Sequence, residues 1–366
     1  MKKRVLKLFA LIMCAVMLML SLPSCGKQTA IMTYNDYTVN ENYYTYWLSR
    51  FKANFIYNYT DVEDSEEYYD SVISEDGRTA AEVMTDISDD AIKNFLVSEY
   101  LCDVYGLKLP SSVLDSIDYE LDLLVKELAD GSKSVFNGMA AEYGVNYKML
   151  RDIYIIETKA SLFAEFYAEN YIKPDLTDEA LETFCKTDYA KADFIYVSTE
   201  FKYNTDENGN FIYDENGSYQ IPYTEAERTA QLEKAAEIGK TINGENFNSL
   251  REQYNEDPAK DAYPNGYYFY SDMPYDETIL DAVLKMAPGE IKRVDCSYGV
   301  YFIRRLSTEK DAYTKEENSD FFEDFEERLI ASIFNEMMAE ELNKVVINEE
   351  AKKGIDIKKV KPCTDF

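Results

Sequence analysis

The sequence predicts an α+β protein: a helical domain built from N- and C-terminal segments, with an α/β domain, an antiparallel sheet with surrounding helices, inserted between them. Three observations predict this. Apolar residues recur at helical spacing through 41–184. The stretch 257–306 reads as turn, short aromatic strand, helix and final strand, punctuated by proline and glycine. A last helical stripe after residue 311 carries an apolar face too wide to remain in water, and the N-terminal helices are its natural partner. A chain of 366 residues with 46% apolar content can bury two such cores. On this reading 1–24 is a signal segment, 25–40 a tether with a short strand, and 41–184 the helical domain. The α/β domain spans 185–310 with a hairpin insertion at 201–223, and 311–366 supplies a helix and tail that pack on the helical domain.

Lys2, Lys3, Arg4 and Lys7 precede a nearly continuous apolar run at 8–22, the pattern of a targeting segment too short to be an ordinary membrane span. Leu22-Pro23-Ser24-Cys25 resembles a bacterial lipobox, departing from its usual form at Pro23. That resemblance implies that Cys25 becomes the lipidated first residue of an extracytoplasmic, membrane-anchored chain. With 38 basic residues against 69 acidic ones the formal charge is −31, which argues against nucleic acid or an anionic membrane surface as an electrostatic partner. A cationic or neutral client is permitted. The remaining cysteines, Cys14, Cys102, Cys185, Cys296 and Cys363, are scattered, and the chain has no histidine. A zinc site or a Cys-x-x-Cys redox motif is therefore not expected, and no metal or cofactor is assigned.

Tyr37-Thr38-Val39 reads as a strand, after which Asn40-Glu41 opens a helix whose Tyr43, Tyr44, Tyr46, Trp47, Phe51, Phe55 and Tyr59 form a core face. Residues 61–76 read as an acidic solvated loop. Ser88 is the expected start of a helix with Ile92, Phe95, Leu96, Leu101 and Val104, stopped by Gly106. Pro110-Ser111-Ser112 starts the next, with Val113, Ile117, Leu121, Leu124 and Leu128 on its stripe. Asn146 caps a long helix carrying Leu150, Ile153, Tyr154, Leu162, Phe163 and Phe166, broken at Lys173-Pro174, and Thr177 caps a shorter one through Phe184.

In the insertion 201–223, Asp206-Glu207-Asn208-Gly209 and Asp214-Glu215-Asn216-Gly217 are near-repeats, and their Asn-Gly pairs read as hairpin turns between aromatic strands. Asn204, Asp206, Asn208, Gly209 and Glu215 also match the spacing of a calcium loop. The flanks are β-type where such a loop needs helices, so a plain β-meander is preferred and no calcium site is assigned.

Asp257-Pro258 opens a loop ending at Pro264-Asn265-Gly266, and Tyr267-Tyr268-Phe269-Tyr270 has strand composition. In the helix that follows, Thr278, Leu280, Asp281 and Lys285 face water while Ile279, Ala282, Val283 and Met286 form the apolar stripe, which Pro288-Gly289-Glu290 stops. Ser297-Tyr298-Gly299 leads into Val300-Tyr301-Phe302-Ile303, a sheet-centre strand ending at Arg304 and Arg305. Thr314 is the expected cap of the last helix, with Phe321, Phe322, Phe325, Leu329, Ile333, Phe334, Met337, Met338 and Leu342 on its apolar face.

Four of these stretches form an ordered set: Asn255-Glu256-Asp257, Asn265-Gly266-Tyr267-Tyr268-Phe269, Pro288-Gly289-Glu290 and Gly299-Val300-Tyr301-Phe302-Ile303, with Phe194-Ile195-Tyr196-Val197 as the first strand. The set resembles a parvulin-type peptidyl-prolyl isomerase domain. Together with the lipobox and the flanking helices, it is similar to the PrsA-like foldase lipoproteins of Gram-positive bacteria and to SurA-type chaperones. Such a domain lowers a rotation barrier of about 18–20 kcal/mol by desolvating the prolyl amide and binding it best when twisted. The resemblance implies Phe194 and Tyr301 at the family's two histidine positions, Asp257 at its Cys/Asp position, and Tyr268, Tyr275 and Ile279 around the proline pocket. Only Asp257 keeps the family's residue type. Read without the family, Asp257 is an Asp-Pro turn residue and Phe194 and Tyr301 are core rings.

The function this implies is an extracytoplasmic, lipid-anchored folding factor that binds unfolded, secreted or proline-containing polypeptide, with isomerase activity weak or absent. An active prolyl isomerase is the alternative. A surface assembly lipoprotein without affinity for unfolded chains is a third reading.

Overall fold

The computed structural model describes residues 29–58, 62–74, 76–206 and 210–366. The signal segment, Cys14, Cys25, Tyr59, Asn208 and Gly209 lie outside the described residues. The chain forms two compact units, Met1–Asn170 with Phe334–Phe366, and Tyr171–Ile333.

The first unit starts with a hairpin, β1 (Ala30–Tyr34) and β2 (Tyr37–Asn40), whose two-residue turn places Asn35 at φ +51°. The expected tether is thus mostly strand, with Ile31 and Met32 fully buried. Asn40 accepts a hydrogen bond from the Tyr43 amide (3.1 Å) and opens α1 (Glu41–Asn58), which buries Tyr44, Tyr46 and Trp47. The stretch read as loop contains a short helix, α2 (Glu66–Asp70), because Ser65 caps it and Tyr69 has a core site to fill. The next helix, α3 (Ala80–Val104), begins well before Ser88. Thr79 and Glu82 form a reciprocal capping box, while Ser88 is buried inside the helix and its hydroxyl donates to the Met84 carbonyl at 2.7 Å. Helices α4 (Ser111–Ala129), α5 (Lys133–Ala140) and α6 (Tyr147–Tyr167), the last capped by Asn146 as expected, complete the bundle around Ile92, Leu96, Leu121, Phe136, Ile153 and Phe163. Each such fully buried side chain contributes about 1.5–3 kcal/mol relative to exposure.

In the second unit, α7 (Asp178–Asp188) is capped by Thr177 and leads into β3 (Ala190–Ser198). The hairpin β4 (Phe201–Tyr203) and β5 (Gln220–Pro222) follows, then α8 (Glu225–Thr241), α9 (Phe247–Tyr254), β6 (Tyr267–Phe269), α10 (Glu277–Lys285), β7 (Ile291–Cys296) and β8 (Gly299–Leu306). The main sheet is antiparallel with order β6-β3-β8-β7, so β3 and β8 are central. Side chains alternate along each strand, and both faces are covered. Phe194, Tyr196, Tyr301 and Ile303 meet α10 on one face; Ile195, Val197, Val300 and Phe302 meet Ala235, Ile238 and Phe247 on the other. Leu280 was expected in water but is only 8% exposed, packed in the cluster of its α10 neighbours Ile279 and Val283.

Thr314 does not cap the last helix. It sits in a 3-10 turn with its hydroxyl donating to the Asp311 carbonyl (2.8 Å), and α11 (Phe325–Leu342) starts later. The apolar face is divided. Phe322, Phe325 and Leu329 close a cluster with Phe184, Tyr189 and Tyr268 in the second unit, whereas Phe334, Met337, Met338 and Leu342 join the helical core of the first. The units therefore part at 170/171 and 333/334 rather than at 184/185 and 310/311. After α11, β9 (Val346–Ile347) pairs with β1 and α12 (Glu349–Lys352) precedes the tail. Among the described residues no helix is long and apolar enough to cross a membrane.

Candidate functional site

Two central strands set the floor of the candidate site. In the β3–β8 register Tyr196 faces Tyr301 and Phe194 faces Ile303, so these four share one side of the sheet. Phe194 stands edge-on to Tyr301 with ring centroids 5.2 Å apart, Tyr196 lies 4.7 Å from Tyr301, and Tyr267 stacks on Phe194 at 4.7 Å. Ile279 is fully buried in the same cluster, and Tyr275 meets Phe269 edge-on at 5.3 Å.

The turn that follows α9 is stitched to β3 by its own side chains. Asn255 accepts from the Tyr196 amide (2.9 Å) and from the Asp257 amide (3.2 Å), and the Glu256 amide donates to the Tyr196 carbonyl (2.9 Å). The Glu256 carboxylate accepts from the Ser198 amide (2.8 Å), from Gln231 and from Lys234. This fixes Asp257 beside the floor. Its carboxylate accepts from the Ala259 amide (3.0 Å), as an Asp-Pro turn residue does, and from the Tyr267 hydroxyl, so it joins the aromatic face through that ring.

Two glycines allow the close approach. Gly266 adopts φ +89°, and a Cβ there would lie 2.6 Å from the Ala192 carbonyl oxygen. At Gly299 a Cβ would meet the Tyr196 ring at 2.5 Å and the Val197 carbonyl oxygen at 2.6 Å.

Phe194, Asp257, Tyr301, Tyr275 and Ile279 are thus brought together. Tyr268 is not. It points to the opposite side, packs on Phe322 at 5.0 Å and donates to Glu309 at 2.5 Å. Its neighbour Tyr267 occupies the face instead, a one-residue shift that in a strand exchanges the two sides. Four tyrosines were missed: Tyr267, Tyr196, Tyr298 and Tyr203. The cross-strand alternation of β3 could have flagged Tyr196; Tyr203, carried by β4 in the insertion, has no sequence signal linking it to Asp257.

The electrostatics of the face follow from burial. Burial first, then the neighbouring Tyr275 and Tyr298, push the Tyr301 hydroxyl far above its usual value, and the Tyr298 ring stands edge-on to it at 6.2 Å. Tyr275 is pushed up to about 12 by burial and then by Asp257. Tyr203 is likewise pushed up to about 12, by burial and then by Asp257, Tyr219 and Glu256. Burial and the Asp257 hydrogen bond raise Tyr267 further. All four hydroxyls stay neutral across physiological pH. They can donate and accept hydrogen bonds, and they cannot shuttle protons as an imidazole does. Among the described residues no group of three or more Cys, Asp or Glu side chains is arranged to hold a metal ion.

No family model matches the chain, and no curated protein matches it. Among solved structures it is similar to PrsA from Bacillus subtilis, at 20% identity over 81% of this chain and 94% of that one, with a TM-score of 0.20. It is similar to the foldase protein PrsA from Streptococcus pneumoniae at 16% identity over 77% and 97% of the two chains, TM-score 0.22. It is also similar to a peptidyl-prolyl isomerase from Candida albicans, at 14% identity over 41% of this chain and 76% of that one, TM-score 0.22. The fold itself rests on the strand order and register given above.

Proposed function

We propose that the protein is an extracytoplasmic folding factor, anchored by a lipid on Cys25, that binds unfolded or proline-containing polypeptide and turns over prolyl bonds weakly or not at all. The observation that carries this is the Phe194–Tyr301 contact. Where the parvulin resemblance sets two histidines, two rings pack edge-on at 5.2 Å and no titrating pair remains. What remains suits binding: apolar ring surface ending in neutral hydroxyls from Tyr275 and Tyr298, with Asp257 at the rim. Peptide can be held there without the polarised network that would favour a twisted amide over a planar one.

The test is aggregation of a chemically unfolded client in the presence of the mature chain. Suppression at near-stoichiometric ratios is expected, and an unchanged aggregation curve would rule this function out. An active isomerase is the second reading, favoured by the Tyr267 hydroxyl held on the Asp257 carboxylate, a polar pair at the floor. That reading requires measurable prolyl exchange that disappears in Asp257→Ala.

A further inference from the structure

The hairpin at 201–223 is the part of the second unit that the sheet floor does not explain. Its two strands pair over three residues each, Phe201 opposite Pro222, Lys202 opposite Ile221 and Tyr203 opposite Gln220. Five rings crowd onto this small ladder. Phe211 lies 4.5 Å from Tyr219, Tyr203 stacks on Tyr219 at 6.0 Å, Tyr213 meets Tyr219 edge-on at 5.5 Å, and Phe201 meets Tyr203 at 5.5 Å. A two-stranded ladder has no second layer to cover them. Tyr213 is 60% exposed, and Ile212 and Ile221 are 45% and 40% exposed.

The arm is fixed at its base. The Ser198 hydroxyl donates to the Phe201 carbonyl (2.5 Å), the Tyr223 amide to the Glu200 carbonyl (2.8 Å), Lys202 pairs with Glu227 (2.8 Å) and Arg228 with Glu200 (2.7 Å). It is also continuous with the candidate site, because Gln231 donates both to the Tyr223 hydroxyl at the base of the arm (2.8 Å) and to the Glu256 carboxylate (3.0 Å) in the turn that carries Asp257. A held, half-exposed aromatic surface running into a tyrosine-lined floor has the form of a recognition groove for extended polypeptide.

Charge selects the occupant. Among its described residues the arm carries one lysine, Lys202, against three carboxylates, Asp206, Asp214 and Glu215, and that lysine is already paired with Glu227. We infer that the arm is the specificity-determining wall of the peptide site and takes an extended segment in which proline or aromatic residues are flanked by lysine or arginine. Proline rings and aromatic side chains lie against the tyrosine faces, while the flanking cations meet the acidic rim and the ring faces. This rests on the peptide-binding function proposed above and adds to it the class of peptide.

The experiment measures binding of two short fluorescent peptides to the full mature chain, one with Lys and Arg flanking a Tyr-Pro centre and one with Glu in their place. The basic peptide should bind more tightly. The double variant Tyr213→Ser with Ile221→Ser alters exposed positions only, and should weaken the basic peptide about fivefold or more with an unchanged circular dichroism spectrum. Glu215→Lys, also at an exposed position, should narrow the difference between the two peptides. If the wild-type chain binds both peptides equally, or the double variant binds the basic one as tightly as wild type, the arm assignment is overturned while peptide binding as such stands. If the wild-type chain binds neither, both fall together.

Discussion

Glu309 shows how one side chain decides which tyrosine belongs to the site. Burial alone pushes its carboxyl up, but the Tyr268 hydroxyl at 2.5 Å and the Lys191 ammonium at 2.9 Å outweigh that and hold it at about 2. The folded pKa is depressed, so the stabilisation is present above the ordinary carboxyl value and is lost as pH falls from there toward about 2. Urea midpoints measured between pH 5 and pH 2 should therefore fall less steeply for Glu309→Gln than for wild type; parallel slopes would remove the network from the account. Because Glu309 is partly exposed, the difference should be modest. The same network explains why Tyr268 was misplaced from sequence. All four residues from Tyr267 to Tyr270 are aromatic, so the alternation that normally announces the sides of a strand is silent there. Phe194 and Tyr301, named from the family resemblance, come together because Gly266 and Gly299 allow backbone approaches to β3 that a Cβ would block.

Elements were legible where a local signal specifies them. Asn146 and Thr177 announce their helices by capping chemistry alone. The Thr79–Glu82 box carries the same signal, and Thr79→Ala should cost about 1 kcal/mol in a urea titration, with no loss expected only if the box does not form. Strand β1 was hidden because one of its partners, β9, lies more than 300 residues away in the sequence, and β7 because its exposed Lys292, Arg293 and Asp295 mask its pattern. The stripe of α11 was legible as buried, but periodicity cannot say that two cores share it. The C-terminal tail was equally silent, yet it is tied down by Lys52. That side chain, 2% exposed, donates to the Val360 carbonyl (2.9 Å) and the Lys358 carbonyl (3.3 Å) and pairs with Asp64 (2.8 Å). Lys52→Met keeps the apolar stem and removes these bonds, so it should destabilise the helical unit by about 1–3 kcal/mol and raise hydrogen exchange across the tail. Unchanged exchange there would show that the tail is held by packing alone.

For the whole molecule, composition argues only against anionic partners and the targeting pattern implies the expected anchor, while the site chemistry needed three dimensions. Replacing Cys25 with alanine should release the protein from membranes or block its processing, and a Cys25→Ala protein that fractionates and matures as wild type would end the lipid-anchor proposal. The central claim is that this chain keeps a peptide-binding floor and has lost the means to turn a prolyl bond. The most direct measurement is cis/trans exchange of an Ala-Pro peptide, followed by NMR exchange spectroscopy with the mature chain at concentrations where peptide shifts report binding. The account predicts shifted resonances with exchange near the uncatalysed rate. Robust exchange that disappears in Tyr301→Ala or Asp257→Ala would contradict it, and would make this aromatic floor a catalyst without histidine.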